Sequence, residues 1–593
     1  MLLRSVKSLP IVILSFVLCY ADVPQPKVHQ PDIPYLNQPF LFQTLELEIF
    51  TPYVSGIVPD HYSDLNWNPA FLVRQKQKSF YFDLFRPGTV QTSTGQPVYD
   101  YNYASSDYAV IPSWYASTSI NTVETTPLYR LGILLPLTSR LNLAVINRSL
   151  FDYGPFRTST YWYGGARWAN EAYTDISADL YEPQRLEVDN NQQTVWGTQT
   201  VVSLSYELQS NLDLGVRLGH YIFRREGTLY DSQWGFYPHS SFADLNDEEL
   251  QIDGNNIDFG AGLLYHPSEC TTLGFMGGYS IGNGHEKSVS QDSSSSWSER
   301  QTASKYYSIY DYNLDKNERY DSDSKRPYLS LQYEKSVSPQ LKLRSFLYKS
   351  WKNTEIEAAT AADDTTYSDR TYDTYHNSSY YFQRTESHSS RIQELDGSGE
   401  DHENELRGFV SLTYIPEDQW SIFGGIFLRK YKHSLDISEN SFYRSHNFQE
   451  VSLYEAGTSE NYYYQDKIYE YDYNYTAWTI IAPIGFKVQV VKGLKILLGT
   501  DLRLEIVDWD EGSRVLYGNI RDKVWHNGNV AADDIQTDRY EEYSSDPAKE
   551  FTRTTSVRFG AIYQHPCGVK LYIKSADDIF NLNNWAMGME IAF

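Results

Sequence analysis

From about residue 128 onward the chain alternates apolar and polar positions in short, well-marked segments. Trp478, Ile480, Ala482, Ile484, Phe486 and Val488 fall on one parity, with Thr479, Gly485, Lys487 and Gln489 on the other. After Gly493, the positions Leu494, Ile496, Leu498, Leu502, Leu504 and Ile506 oppose Lys495, Gly499, Asp501, Arg503 and Glu505. Ile257, Phe259, Ala261, Leu263 and Tyr265 oppose Asp258, Gly260 and Gly262, and Trp420, Ile422, Ile426 and Leu428 oppose Ser421, Gly425 and Arg429. A period of two means strands with unlike faces. Such segments flank short turns at 137–140, 208–211, 266–271, 335–340, 415–419, 491–493 and 564–568. Between one hairpin and the next lie polar stretches of roughly 30 to 50 residues, read as loops.

The segments are about the nine to eleven residues that a tilted strand needs to cross a bilayer. Their number is too small to bury the chain as a soluble sandwich. An antiparallel up-and-down transmembrane β-barrel fits, apolar face to lipid, polar face to lumen, tight turns periplasmic and long loops extracellular. The hairpins supply fourteen strands, and 78–85 and 585–593 complete a wall of sixteen. Fourteen is the alternative. Two further alternating segments, 41–50 and 107–117, are ambiguous. The first suits a plug strand and the second part of a loop; placed in the wall they would make eighteen.

The ends support export to an outer membrane. Residues 1–21 combine Arg4 and Lys7, an apolar stretch from 9 to 18, and Ala21 before Asp22, as a signal peptide cleaved after Ala21 does. A lipid anchor on Cys19 is the rival, disfavoured by Leu18. Residues 22–77 read as a proline-rich periplasmic lead (Pro24, Pro26, Pro31, Pro34, Pro39) and a plug, and 78–593 as the barrel. At the far end Trp585, Met587, Met589, Ile591 and Phe593 alternate with Ala586, Gly588, Glu590 and Ala592. This resembles the C-terminal signal read by the outer-membrane barrel assembly machinery. That machinery, outer-membrane lipid and lipopolysaccharide are therefore the expected partners.

Charge narrows the picture further. The 593 residues carry a net charge of −26, which excludes nucleic acid as a partner. No nucleophile elbow, zinc-protease, Walker or Cys-x-x-Cys signature is present, so no enzyme activity and no cofactor are expected. Asp311, Asn313 and Asp315 begin an EF-hand spacing, but Lys316 and Ser322 break it. The acidic loops leave room only for loosely held calcium. Cys270 and Cys567 read as unpaired turn residues. The lumen face collects Arg217, Lys342, Arg344, Arg407, Arg429, Lys487, Lys495, Arg503, Arg558 and Lys570 against Glu207, Asp213, Asp258, Asp501, Glu505 and Glu590. Two readings stay open for it, a charged constriction and a salt-bridged filling.

Before the first wall strand stands Asp64-Leu65-Asn66-Trp67-Asn68-Pro69-Ala70-Phe71-Leu72. With Asp64, Asn68, Pro69 and Ala70 in this place, the chain resembles the long-chain fatty acid outer-membrane transporter family and the related barrel subunits of the type IX secretion system. The hairpin around 131–146 resembles that family's first periplasmic hairpin. The resemblance covers about 90 residues, and the family's barrel has 14 strands where the count here is 16. It implies a hatch that plugs the lumen and a channel for hydrophobic or amphipathic small molecules. A surface barrel displaying acidic, Tyr-rich loops for adhesion or secretion-partner docking is the alternative, as is a general porin. Pro483 has no N–H for the ladder, so a bulge or kink is expected there, with Gly485 supplying slack. In the resembled family a wall kink gives apolar ligands a sideways exit, which makes Pro483 and Gly485 the candidate.

Overall fold

The computed structural model describes residues 23–33, 42–50, 60–85, 109–125, 128–169, 184–237, 240–301, 304–376, 379–417, 419–452, 457–545, 547–575 and 585–593. The signal-peptide segment, Cys19, Pro34 and Pro39 lie outside them. The strands are β1 (Ser79–Phe85), β2 (Ala109–Thr125), β3 (Leu128–Pro136), β4 (Leu141–Ala169), β5 (Gln184–Gln209), β6 (Leu212–Tyr237), β7 (Ser240–Ser268), β8 (Thr271–Gln301) and β9 (Ser304–Ser338). They continue with β10 (Leu341–His376), β11 (Ser379–Glu417), β12 (Trp420–Ser452), β13 (Gly457–Val491), β14 (Leu494–His526), β15 (Asn529–Ser544), β16 (Ala548–Gln564), β17 (Val569–Ser575) and β18 (Trp585–Ala592).

All eighteen belong to one antiparallel sheet. β2 and β15 are not extra wall positions: β2 continues β3 along β4, and β15 continues β16 along β14. The remaining sixteen close a ring, because β1 pairs with β18 through Ser79↔Ala592 to Phe85↔Ala586 and with β3 through Ser79↔Leu134 to Phe85↔Leu128. The chain is thus a sixteen-stranded barrel, with its tight turns where the alternation placed them. The ambiguous 107–117 segment falls, from 109, in β2.

The wall is apolar outside near those turns. Val216, Leu218, Ile257, Phe259, Ile281, Leu331, Val410, Ile426, Leu428 and Ile484 are exposed, while the intervening Arg217, Asp258, Arg344, Ser411 and Asp501 are buried. Tyr206, Tyr265, Tyr414 and Tyr563 mark one border of the belt and Trp196, Tyr279, Trp351 and Trp478 the other, as aromatic girdles do in a membrane barrel. Among the described residues no helix is long and apolar enough to cross a membrane.

Four expectations change. First, the polar stretches read as loops are, in nearly all their described residues, themselves strand. β9 to β14 run 33 to 39 residues, whereas a crossing needs about 10, so the wall rises far beyond the belt. The serine run 290–298 is likewise paired on both sides, to β7 and β9. Second, residues 45–50 form a short helix, α1 (Leu45–Phe50), instead of a plug strand. A lone strand inside the lumen would leave its backbone groups unpaired, whereas a helical turn satisfies them locally. Third, no bulge forms at Pro483. The ladder to β14 runs unshifted through Ala482↔Leu502, Pro483↔Asp501 and Ile484↔Thr500. On the other side, pairing with β12 stops at Gly424↔Ile484 and resumes at Phe427↔Ile481 in the same register. With both flanks locked, the missing N–H costs local pairs, not register. Fourth, residues 23–33 lie inside the tall part of the wall, not on the tight-turn side: Val28 donates its N–H to Glu439.

Candidate functional site in the lumen

The lower lumen holds residues 60–75. Asp60 Oδ1 accepts the N–H groups of Tyr62 (3.1 Å) and Ser63 (2.7 Å) and starts a 3-10 turn over Ser63–Asn66. Asn68, with extended backbone, caps a second one over Pro69–Arg74: its Oδ1 accepts from the Ala70 N–H at 3.0 Å, and Pro69 takes the first helical position, where no N–H is needed. Asp64, Asn68, Pro69 and Ala70 are all buried.

Each faces a made place on the wall. Asn68 Nδ2 lies within hydrogen-bonding reach of the Leu263 carbonyl (3.1 Å), the Phe275 carbonyl (3.1 Å) and Gln332 Oε1 (3.0 Å). A Cβ at Gly262 would run into the Asn68 amide, and one at Gly215 into the Ala70 backbone, so these two glycines allow the close approach. Arg344 pairs with Asp64 (3.0 Å) and Glu334 (2.5 Å), and Glu334 also holds Arg74 (2.6 Å). Arg217 donates to the Asn66 carbonyl (3.0 Å), Asp258 (3.0 Å) and the Tyr328 hydroxyl (2.9 Å). Asn142 donates to the Leu72 carbonyl at 3.0 Å. Nearby, Glu48 of α1 meets Arg130 and Lys574, and Glu46 meets Lys487.

Above this segment lies an aromatic bed. Trp67 packs against Phe346 (centroids 4.9 Å) and Phe409 (5.7 Å), which stack on each other at 4.6 Å; Phe423, Phe427 and Ile481 join the same buried cluster. Alternation puts the next inward positions directly over it: Tyr348 over Phe346, Arg407 over Phe409, Arg429 over Phe427. Three guanidiniums there share one carboxylate. Glu405 is 2.7 Å from Arg407, 2.5 Å from Arg429 and 3.4 Å from Arg326. Arg407 also lies over the Tyr348 ring at 5.5 Å and Arg429 over Tyr431 at 4.9 Å. Buried Arg407 Nε has no hydrogen-bond partner among the described residues. The result is an apolar floor under a net cationic ceiling.

The other residues singled out in the sequence are spread around the wall. Asp501 is buried against Arg558 (2.8 Å) and Ser556 (2.7 Å), and Arg503 pairs with Glu505 at 3.0 Å. Lys342 lines a rim cavity of about 420 Å³ with Arg74, His266, Glu334 and Arg344. Lys495 is half-buried on β14; Glu590 takes Lys570 at 3.0 Å, and Asp213 meets His266 at 2.9 Å. Pro483 and Gly485 are buried on the inner face. Met587 and Phe593 are exposed, with Met589 and Ile591 half-buried; the side chain of Trp585 lies outside the described residues. Cys270 and Cys567 are exposed and unpaired. Asp311, Asn313 and Asp315 lie on β9, paired to β8 and β10, and among the described residues no group of three or more His, Cys, Asp or Glu could hold a metal ion.

Sequence reasoning missed Arg326, Glu405, Gln332 and the wall glycines. For Glu405 and Arg326 the signal was present: the same alternation, carried a few positions past the presumed strand ends, reaches both.

No family model and no curated protein matches the chain. Solved structures similar to it include a FadL homologue of Pseudomonas aeruginosa, 12% identical, with a TM-score of 0.28 over 94% of this chain and 100% of that one. The toluene transporter TodX of Pseudomonas putida is 10% identical, with a TM-score of 0.29 over 78% of this chain and 92% of that one. The toluene transporter TbuX of Ralstonia pickettii is also 10% identical, with a TM-score of 0.24 over the same shares. At these values the fold rests on the strand pairing described above, not on the likeness.

Proposed function

We propose that this barrel is an outer-membrane channel for hydrophobic or amphipathic small molecules, gated at its tight-turn end by residues 60–75. The observation that carries the reading is the pairing of an aromatic floor (Trp67, Phe346, Phe409, Phe427) with the Arg326–Arg407–Arg429 cluster around one glutamate. An apolar tail suits the first and an anionic head the second, since charge-assisted bonds to guanidinium are the strong ones. The two-residue gap between β12 and β13 at Pro483 is the candidate for a sideways exit into lipid.

The test is binding of laurate and of uncharged dodecanol to the detergent-solubilised protein, read by tryptophan fluorescence. Substituting Arg407→Gln together with Arg429→Gln is expected to weaken laurate by about tenfold or more, as loss of charge-assisted bonds does, and to leave dodecanol nearly unchanged. Equal affinity of wild type and variant for laurate, or no binding of either ligand, defeats the reading.

A further inference from the structure

Within eleven residues, segment 23–33 spans the inside of the tall wall. The Tyr469 hydroxyl of β13 donates to the Pro24 carbonyl, and Gln25 donates to Glu511 of β14 at 3.0 Å. Val28 N–H donates to Glu439 of β12 at 2.7 Å, and Gln30 to Asp401 of β11. The His29 ring lies 3.9 Å from that of Tyr320 on β9 and 3.5 Å from Glu286 on β8. Asp32 reaches Arg225 of β6 at 4.0 Å. The contacts with β14 and β6, on opposite sides of the ring, are made by Gln25 and Asp32, and these eight residues reach about 26 to 29 Å when extended, so the segment crosses the lumen drawn out, with a bend at Lys27 and long side chains completing the span. Proline favours that extended form.

The wall is shaped to receive the segment. Val28 is 1% exposed and sits where a Cβ at Gly397 would collide with its Cγ2; Ile33 sits so close to Gly254 that a Cβ there would stand 2.6 Å from it. Glycine weakens a strand interior, so its presence at both seats marks a close approach. Val23 and Val28 share one apolar cluster with Tyr320, Ile356, Leu395, Ile437, Tyr469 and Tyr471. Aromatic faces with interspersed acceptors are how grooves recognise extended proline-containing peptides. The segment pairs with no wall strand among the described residues, so it can leave without breaking a wall ladder.

We propose that the inner face of the tall sheet is a binding groove for an extended, proline-containing peptide, and that residues 23–33 are its resident ligand in cis, a releasable crossbar across the lumen about halfway up the wall. The proposal does not depend on which small molecule the channel carries. The test uses trypsin on the folded mature protein, following cleavage after Lys27 by mass spectrometry, with heat-modifiable gel mobility confirming the barrel. Gly397→Ile fills the Val28 seat and is expected to speed that cleavage about tenfold or more, because proteolysis follows the population of the open form. Where Gly397→Ile does not fold, Val28→Asp, which leaves the wall untouched, carries the same expectation. In parallel, a fluorescent peptide of residues 22–33 is expected to bind saturably to a protein lacking 22–33 and not to the full chain, and to lose about tenfold in affinity when it carries Val28→Asp. Equal cleavage rates in wild type and variants, or absence of peptide binding to the deleted protein, overturns the proposal.

Discussion

The same strands carry two opposite codes. Near the tight turns of β13 the outward positions are Trp478, Ile484 and Phe486, and the inward ones include Thr479 and Gly485. Farther along, with no change of phase, the outward positions become Glu470, Asp472 and Asn474 and the inward ones Tyr469, Tyr471, Tyr473 and Tyr475. β10 makes the same exchange: Leu347 and Trp351 outside Arg344 and Ser350 below, Glu355 and Glu357 outside Ile356 and Ala358 above. The pleat does not know which side is wet. Each face takes the polarity of its surroundings, lipid outside the belt and water outside the tall sheet, and the interior follows as the complement.

The largest effect should come from placing one charge on each side of that boundary, on the same face of the same strand. Ile426, 56% exposed in the belt, and Ser438, exposed above it, both point outward from β12. Ile426→Arg is expected to cost about 2 to 4 kcal/mol, the cost of arginine on the lipid face near the midplane. Ser438→Arg, opposite Glu470, is expected to be neutral or slightly stabilising. Urea unfolding in lipid vesicles measures both; similar losses would put the boundary elsewhere.

This exchange also explains how far the sequence could be read. The belt was legible because one face was uniformly apolar, and the turns, the ring closure through 78–85 and the last strand all followed. Above the belt the pattern is still period two, but Tyr against Glu and Asp reads as a polar run. The run Tyr469-Glu470-Tyr471-Asp472-Tyr473 therefore looked like a displayed loop although its tyrosines face inward. Asp64, Asn68, Pro69 and Ala70 were found as a motif, whereas Gly262, which seats Asn68, entered only as a polar-face position in an alternating segment, and Gly215, which seats Ala70, carried no signal of its own. α1 was misread because Leu45-Glu46-Leu47-Glu48 is too short to separate a period of two from a helical turn with charged neighbours.

A smaller effect is expected where β12 and β13 lose contact. Pro483 offers no N–H, and the pairs Gly425 with Pro483 and Ile426 with Ala482 are missing although the register would allow them. Pro483→Val should let the ladder close and stabilise the barrel by about 0.5 to 1.5 kcal/mol, the net worth of an intramolecular hydrogen bond. If the gap is the sideways exit, uptake of an apolar substrate into vesicles should fall with it. Greater stability at unchanged uptake would leave the gap as a local consequence of proline alone.

The smallest effect concerns the outer face of the tall sheet, where the code runs to excess. Asp323, Glu355, Glu400, Asp436 and Asp472 stand directly opposite one another on five consecutive strands, β9 to β13. Like charges in that position destabilise a sheet by roughly 0.2 to 1 kcal/mol per pair. Partial burial, and then Asp436 and Asp510, push the Asp472 carboxyl above its ordinary range. A carboxyl raised in the folded state binds its proton more readily there than in the unfolded chain. Its contribution therefore favours folding below the usual carboxylate range and is lost as pH rises through the raised value. The tall sheet should thus gain stability on mild acidification, measured as slower proteolysis of β9 to β13, while the belt hardly responds. Glu400→Lys, set between Glu355 and Asp436, converts two repulsions into attractions. Because these charges are exposed and screened by water, it should stabilise the sheet at neutral pH by only about 0.2 to 1 kcal/mol in total and flatten the acid response. A Glu400→Lys protein whose sheet is no more stable at neutral pH, and still gains as much on acidification, would show that the ladder is screened by solvent.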